Sequence, residues 1–545
     1  MGNEERLLLT GDEAVALAAK HCGVFLGTGY PGTPSTEILE YFSKIGGKAQ
    51  WAPNEKVALE VGIGVAFAGA RALVTMKHVG LNVASDPFFS AAYTGVDGGL
   101  VVVSADDPGM ASSQNEQDNR RYAVAAGVPM FEPSDSQEAY DYAIAAFELS
   151  EKYQIPVLLR MTTRVCHSRT IVKTRNISLQ VKTPNYNKNA ETKVLIPAYA
   201  RPAHKRLRKK LNELKEWSEN CPYNVVEMRD RLLGIITSGI SYVHSSEAAA
   251  EASVLKLGFT YPLPIKKIAD FAKSVERCVV VEEGDPYLYE AIHAAGIAVE
   301  GKSESFRFGE LNVERVKKII FGGEEADRKI PPGKAPQLCD GCQYRVVYDI
   351  LHKLGCIVAG DIGCYTLGVL PPFNAMDTCL CMGASIGVGL GLRHTLPPEQ
   401  ARNIVSVIGD STFIHSGITG LVEMVYNPPP TGHVVIILDN QTTAMTGLQE
   451  HPGTGRKLDH QPTNRVVLEE VVKGIGIKNL HIVEPRIGSD AFEKVLTESL
   501  KKEELTVIIA RRPCLLASKK VKEFERCEDK QGVSCAKEKE QCQTK

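Results

Sequence analysis

Asp410 stands between the apolar run "IVSVIG" and the small polar stretch "STFIHSG", and Asn440 directly follows a second apolar run, "HVVIILD". Both runs read as buried strands of a parallel sheet. The two residues then fall at strand C-termini, the edge where open α/β sheets bind ligands. Each side chain offers oxygen, the ligand that Mg²⁺ takes alongside substrate phosphates. Gly409 allows close backbone approach, and Ser416-Gly417 reads as the start of a helix whose N-terminus favours a phosphate. On spacing alone two readings stay open: a Mg²⁺-diphosphate site, or two ordinary turns.

The sequence holds 14 cysteines. The chain is too long, and several pairs too close, for a small disulfide scaffold, which directs attention to metal or redox chemistry. Cys339 and Cys342 form C-x-x-C in "LCDGCQYR", Cys364 closes the turn "GDIGC", and Cys514 ends "ARRPC". An iron-sulfur cluster, zinc and reduced thiols all fit this set. Cys379 and Cys381 read as packing residues in a small-residue segment. "GTGYPG" at 27–32 matches G-x-G-x-x-G. Pro31 inside the motif and Pro34 at the expected helix start favour a specialised ligand turn, or a plain turn, over a nicotinamide or flavin site.

These residues need strands and helices to position them, and the chain supplies both in alternation. At 545 residues and 43% hydrophobic composition it can bury large cores. Strand-like runs such as "CGVFLG", "ARALVTM" and "GGLVVVSADD" alternate with helical spacing, which predicts parallel sheets flanked by helices. The expected order is an α/β domain over 1–173, a charged, solvated linker helix over 174–225, a smaller α/β domain over 226–330, a third α/β domain over 331–515, and a flexible polar tail over 516–545. Within that order "KIPPGKAPQ" reads as a linker. Two small-residue helices, "GIGVAFAGARALVTM" and "GASIGVGLGLRHTL", allow close packing and point to a site between two similarly built domains. The net charge of -2 gives no basic field for nucleic acid, and no apolar run reaches membrane-spanning length. The N-terminus lacks a secretory pattern, and Arg6 stands where a myristoylation motif at Gly2 needs Ser or Thr, so the cytoplasm is expected.

The segments "GDSTFIHSGITGLVEMVYN" and "LDNQTTAMTGLQEHPGTG" resemble the large subunit of indolepyruvate:ferredoxin oxidoreductases, which are thiamine diphosphate-dependent 2-oxoacid oxidoreductases. The resemblance continues through "GDIGCYTLG", "AMDTCLCMGASIG", "GTGYPGTPSTEI", "NEKVALEVGIG", "MKHVGLN" and "SSQNEQDNR", and covers nearly all of residues 10–514. It implies two doubly wound thiamine-diphosphate-binding-type domains (pyrimidine and diphosphate) with a smaller, transketolase C-terminal-like α/β domain between them. It makes Asp410 and Asn440 ligands of Mg²⁺, with a backbone oxygen near Thr442 as a third. The diphosphate would lie by Gly409, Ser411 and Ser416, with Met445 and Thr446 beside the cofactor. Glu55 would contact the aminopyrimidine ring, where a carboxyl group on a ring nitrogen promotes the tautomer that activates the thiazolium; Glu60 is the runner-up. Thr33, Lys77 and His78 would serve the substrate's carboxylate and nearby charge, although Thr33 could equally cap a helix and Lys77 lie at the surface. Cys339, Cys342, Cys364 and Cys514 would hold a [4Fe-4S] cluster.

The resemblance also implies coenzyme A as co-substrate, an aryl 2-oxo acid such as indolepyruvate or phenylpyruvate, and a smaller β subunit in an α2β2 assembly. Two features depart from it. Cys527, Cys535 and Cys542 do not have the C-x-x-C-x-x-C spacing of the family's usual C-terminal ferredoxin module, so electrons are expected to pass to ferredoxin or to a separate iron-sulfur or flavin subunit. "CDGCQYR" carries Asp340, Gln343 and Tyr344 where the family commonly has a Pro and a Pro-His pair. The rival readings are a non-oxidative thiamine-dependent decarboxylase and a catalytically silent assembly subunit.

Overall fold

A computed structural model describes residues 5–175, 183–325 and 337–519. The chain divides into two compact units, 1–330 and 331–545. The expected linker around 330–337 lies outside the described residues apart from residue 337. So does the expected tail, with Cys527, Cys535 and Cys542, apart from residues 516–519. Among the described residues no helix is long and apolar enough to cross a membrane.

In the first unit β1 (Arg6–Thr10) pairs antiparallel with β8 (Arg169–Lys173), beside a larger sheet. That sheet takes β2 (Leu26–Gly29), β3 (Ala49–Trp51), β4 (Ala72–Lys77), β5 (Leu100–Asp106), β6 (Met130–Phe131), β7 (Val157–Thr162) and β12 (Phe259–Tyr261). Their order is β12-β6-β7-β5-β4-β2-β3, parallel except for β12. β5 and β7 are buried along their whole length, as strands covered by helices on both faces must be. β3 and β4 lie on opposite sides of β2, so the C-terminal ends of β2 and β4 form the switch point where such sheets open a ligand crevice. The helix Glu55–Phe67 packs close to this sheet because Gly62 has no side chain: a Cβ there would lie 2.4 Å from Val74 Cγ2.

A second sheet holds β9 (Asn224–Glu227), β10 (Asp230–Ser238), β11 (Ala252–Leu257) and β13 (Arg277–Val281), in the order β13-β10-β11-β9. It shares a core with the first sheet, and the boundary expected at 226 is crossed three ways. β12 joins the first sheet beside β6. Leu257, Leu263, Tyr287 and Leu288 pack in one cluster with Val102, Ala123 and Met130. The fully buried Arg120 pairs with Asp118 and, at 2.8 Å, with Glu282, and it also donates to the Glu283 carbonyl. Removing one partner of such a buried pair would strand a charge, so the contact ties the two sheets together. The segment expected as a solvated linker also differs. It forms the helix Pro197–Ser218, which buries Ala203, Leu207, Leu211, Leu214 and Ser218 at helical spacing. Leu207 and Leu211 belong to the same core, and the high charge density sits on the opposite face.

The second unit carries one five-stranded, all-parallel sheet: β14 (Ile357–Ala359), β15 (Ile404–Gly409), β16 (His433–Asp439), β17 (Asn479–Val483) and β18 (Leu505–Arg511), ordered β14-β15-β16-β18-β17. β15 and β16 are neighbours with Gly409 opposite Leu438, so the residues following each strand emerge side by side. The helix Ala384–Thr395 crosses this sheet at Gly389, where a Cβ would lie 2.4 Å from Ser406 Oγ. The alternation and the parallel sheets expected from the sequence are present in both units.

Candidate active site

In the second unit Asp410 and Asn440 meet at the C-terminal ends of β15 and β16, both buried. Asp410 Oδ1 accepts from Ser411 N and Oδ2 from Gln441 N, each at 2.9 Å, so the carboxylate is fixed by the two strand-end turns it links. His451 Nε2 lies 3.2 Å from the same Oδ2. Asn440 Oδ1 accepts from Thr442 N at 3.0 Å. This oxygen-only pair suits a hard cation such as Mg²⁺. Asp439, next in line, is held by Arg511 at 2.6 Å; burial and the neighbouring Asp410 push its carboxyl up to about 6. Gly409 is needed for packing as well as approach, because a Cβ there would lie 2.6 Å from the Tyr365 ring.

The helix expected to start at Ser416-Gly417 starts earlier. Helical structure begins at Asp410, widens into a π-turn over Phe413–Gly417 and continues through Ile418–Tyr426. The free amide end is therefore at Gly409–Ser411, and Ser416, whose hydroxyl bonds His415 Nδ1 at 2.6 Å, lies inside the helix. Ser411 and Thr443 share a hydroxyl contact at 3.0 Å. Thr446 bonds the Gln449 side chain at 2.6 Å, and Met445 is half exposed on that loop. A second Gly-Asp pair, Gly360-Asp361 after β14, occupies the N-terminus of the helix Ala384–Thr395: Asp361 accepts from Gly383 N at 2.8 Å and Ser385 N at 3.0 Å.

Cys339, Cys342, Cys364 and Cys514 line one cavity of ≈ 80 Å³ together with Tyr344, Leu367 and Asn440. Arg345 holds the C-x-x-C turn by donating to the Cys339 carbonyl at 3.0 Å and the Leu338 carbonyl at 2.6 Å. Cys514 N donates to the Asn440 carbonyl at 3.0 Å, so the thiol cavity and the oxygen pair share a residue. Burial, reinforced by Cys514, Cys339 and Cys342, pushes the Cys364 thiol up to about 11. A cation among the four thiols would reverse that preference. Among the described residues no three of these sulfurs lie within 4.8 Å of one another. A single tetrahedral zinc ion would need sulfurs about 3.8 Å apart at Zn–S distances of about 2.3 Å. Cys379 is half-buried against this core, as expected of a packing residue, but Cys381 is exposed.

In the first unit Thr33, Glu55, Lys77 and His78 gather at the switch point of the large sheet. Asn54 caps the helix Glu55–Phe67, accepting from Val57 N at 2.9 Å, which sets Glu55 in the first turn. Glu55 is buried and lies over Gly80, where a Cβ would come within 2.7 Å of Oε1. Glu60 is exposed and paired with Lys56, so burial separates it from Glu55. Lys77 is half-buried against Gly32 and donates to the Ser112 carbonyl at 3.1 Å. Burial lowers its pKa, while Asp107 and Glu55 favour its charged form. His78 Nε2 donates to the Asn115 carbonyl at 3.0 Å, and burial with Lys77 alongside keeps its pKa low. It presents a lone pair at Nδ1 in place of the expected charge. Thr33 is half-buried, its carbonyl 3.4 Å from Ser112 Oγ; its side chain does not cap the helix Thr36–Lys44, whose preceding turn is closed by Thr36 Oγ1 accepting from Gly32 N at 2.9 Å.

Three residues of these sites were given no role from the sequence: Asp361, His451 and Asp107. Asp361 had a signal, since "GD" follows an apolar run twice. The others act through contacts made by folding.

Residues 361–510 match the family of thiamine pyrophosphate enzymes in their C-terminal TPP-binding domain. Residues 17–223 match the thiamine diphosphate-binding domain of pyruvate flavodoxin/ferredoxin oxidoreductases. The chain is similar to indolepyruvate oxidoreductase subunit IorA of Archaeoglobus fulgidus, at 39% identity over 94% of this chain and 87% of that one. It is similar to the subunit of the same name from Methanothermobacter thermautotrophicus, at 41% identity over 94% and 88%. A solved 2-oxoglutarate:ferredoxin oxidoreductase from Magnetococcus marinus aligns over 58% of this chain and 66% of that one, with 20% identity and a TM-score of 0.49.

Proposed function

This chain belongs to the family of indolepyruvate oxidoreductase IorA subunits, and from that premise we propose that it carries out the oxidative decarboxylation of aryl 2-oxo acids to arylacetyl-CoA. It is a thiamine diphosphate-dependent 2-oxoacid oxidoreductase subunit with two cofactor-binding domains, a pyrimidine type within the first unit and a diphosphate type within the second. When bound, thiamine diphosphate supplies the electron sink that decarboxylation requires. The protein's own residues supply the rest. Asp410 and Asn440, with a backbone oxygen near Thr442, would hold Mg²⁺. The amide end at Gly409–Ser411 favours the diphosphate, with Ser416, Met445 and Thr446 further along the same strand-end surface. Glu55 holds a proton against the aminopyrimidine ring nitrogen. Lys77 and Thr33 place the substrate carboxylate, and His78 accepts a hydrogen bond at Nδ1. Cys339, Cys342, Cys364 and Cys514 would hold a [4Fe-4S] cluster, which would supply one-electron redox chemistry beside the cation site.

One observation carries the oxidative reading. Asn440 supplies an oxygen at the cation site and also lines the four-thiol cavity, and a non-oxidative decarboxylase has no use for thiols there. Because the relatives are subunits by name, a partner belongs to the reading: a smaller β subunit in an α2β2 assembly, with coenzyme A taking the acyl group and ferredoxin or a separate iron-sulfur or flavin protein taking the electrons. The test is to isolate the chain anaerobically with its partner and measure iron and acid-labile sulfide. About four irons per chain are expected, as for one cubane cluster, and Cys342→Ser should lose them. Zinc in their place, or no metal, would refute the cluster.

A further inference from the structure

Asp12, Glu37 and His167 bring one oxygen each from two carboxylates and one imidazole nitrogen within 4.8 Å of one another, and none of the three has a part in the sites described above. They come from three elements. Asp12 is in the first turn of the helix Gly11–His21, Glu37 in the first turn of the helix Thr36–Lys44, and His167 ends the short helix Thr163–His167 after β7. The convergence is fixed by packing, because the backbone at Gly11 lies against Val165, where a Cβ would come within 2.2 Å of the carbonyl oxygen. Asp12 is the independent sign of a ligand. Its side chain is fully buried, yet neither carboxylate oxygen has a hydrogen-bond partner of good geometry. The polar groups beside it are the Cys166 thiol and the Glu37 carboxylate, the second a like charge. A buried carboxylate whose polar neighbours are a weak thiol donor and another carboxylate is costly unless a cation or a proton sits between the two carboxylates.

We propose that Asp12, Glu37 and His167 form a binding site for a divalent first-row cation of the Zn²⁺ class. Two oxygens and one imidazole make a three-ligand set with an open position for water. His167 Nε2 and Glu37 Oε2 are 3.9 Å apart, slightly wider than the roughly 3.3 Å between tetrahedral ligands at about 2.0 Å from zinc. Both side chains are partly exposed and can close around an ion that enters from solvent, with Asp12 at the floor. The imidazole separates this site from the all-oxygen pair at Asp410, which suits Mg²⁺. The bound ion ties together three helix ends, one of them directly after the turn that carries Thr33.

The test uses the full chain with its partner, stripped by chelator and titrated with Co²⁺, in wild type, His167→Gln and Asp12→Asn. The expected result is one tightly bound Co²⁺ per wild-type chain whose spectrum lacks thiolate charge-transfer bands, lost in both variants with iron content unchanged. His167 is exposed, so His167→Gln leaves the fold intact and isolates the ligand even if Asp12→Asn misfolds. Equal Co²⁺ binding by His167→Gln and wild type would overturn the site. So would a wild type that binds no Co²⁺ and is stabilised by Asp12→Asn, which would mean that a proton fills the gap.

Discussion

At the residue scale the chemistry depends on which side chains the fold buries at strand ends. Glu55 and Glu60 could not be ranked by spacing, because both lie on one small-residue helix; burial ranks them, with Glu55 over Gly80 and Glu60 paired with Lys56 at the surface. Glu55→Gln should keep the fold and cofactor binding but slow decarboxylation by about 100- to 10,000-fold, the usual range for a positioned acid-base group. Unchanged turnover would remove Glu55 from the mechanism. Gly80→Ala should reproduce part of that loss in steady-state assays with Glu55 itself unaltered, since the new methyl would come within 2.7 Å of Oε1 and displace the carboxyl. Asp410→Ala removes both a cation ligand and the acceptor that joins Ser411 N to Gln441 N. Mg²⁺-dependent cofactor binding, followed by calorimetry, should weaken by at least about 100-fold. Asp410 and Asn440 were legible because each follows its own strand directly. Asp361 carried the same Gly-Asp signal after an apolar run, whereas His451 carried none, because its approach to Asp410 is made only by folding.

At the scale of elements, sequence periodicity located the strands and most helices but missed how they share cores. The helix Pro197–Ser218 reads as solvent-facing because its charges outnumber its apolar residues. Yet Ala203, Leu207, Leu211 and Leu214 recur every three or four positions and are buried. Leu207→Ala should therefore destabilise the first unit by about 2–5 kcal/mol in denaturant titration, the cost of emptying a core position; a solvated linker would tolerate the change. The boundary at 226 failed for a related reason. β12 is only three residues long, and the Arg120–Glu282 ion pair joins residues 162 positions apart, neither of which has a local signature. The same shared interior makes stability pH-dependent. Burial pushes the Glu283 carboxyl up to about 7, although Leu311 N donates to it. Its folded-state pKa exceeds its unfolded value, so the folded form holds the extra proton. The stabilisation is complete below the unfolded pKa of about 4.3 and is lost as pH rises through about 7. Thermal melts from pH 5 to 8 should show wild type losing stability relative to Glu283→Gln; parallel curves would contradict the assignment.

At the scale of the whole molecule each unit contributes a strand-end surface of its own: a carboxyl-lysine-histidine group in the first, and an oxygen pair with a thiol cavity in the second. Family membership makes the chemistry a thiamine-dependent 2-oxoacid oxidation, and the thiols make sense of its oxidative outcome. The measurement that tests this most directly is anaerobic product analysis. The chain with its partner is given thiamine diphosphate, Mg²⁺ and indolepyruvate, with and without coenzyme A and a one-electron acceptor. Indoleacetyl-CoA should form only when coenzyme A and acceptor are both present, with two electrons recovered per product and the yield abolished by Cys342→Ser. Release of indoleacetaldehyde at the same rate with or without acceptor, and unaffected by Cys342→Ser, would contradict the oxidative reading.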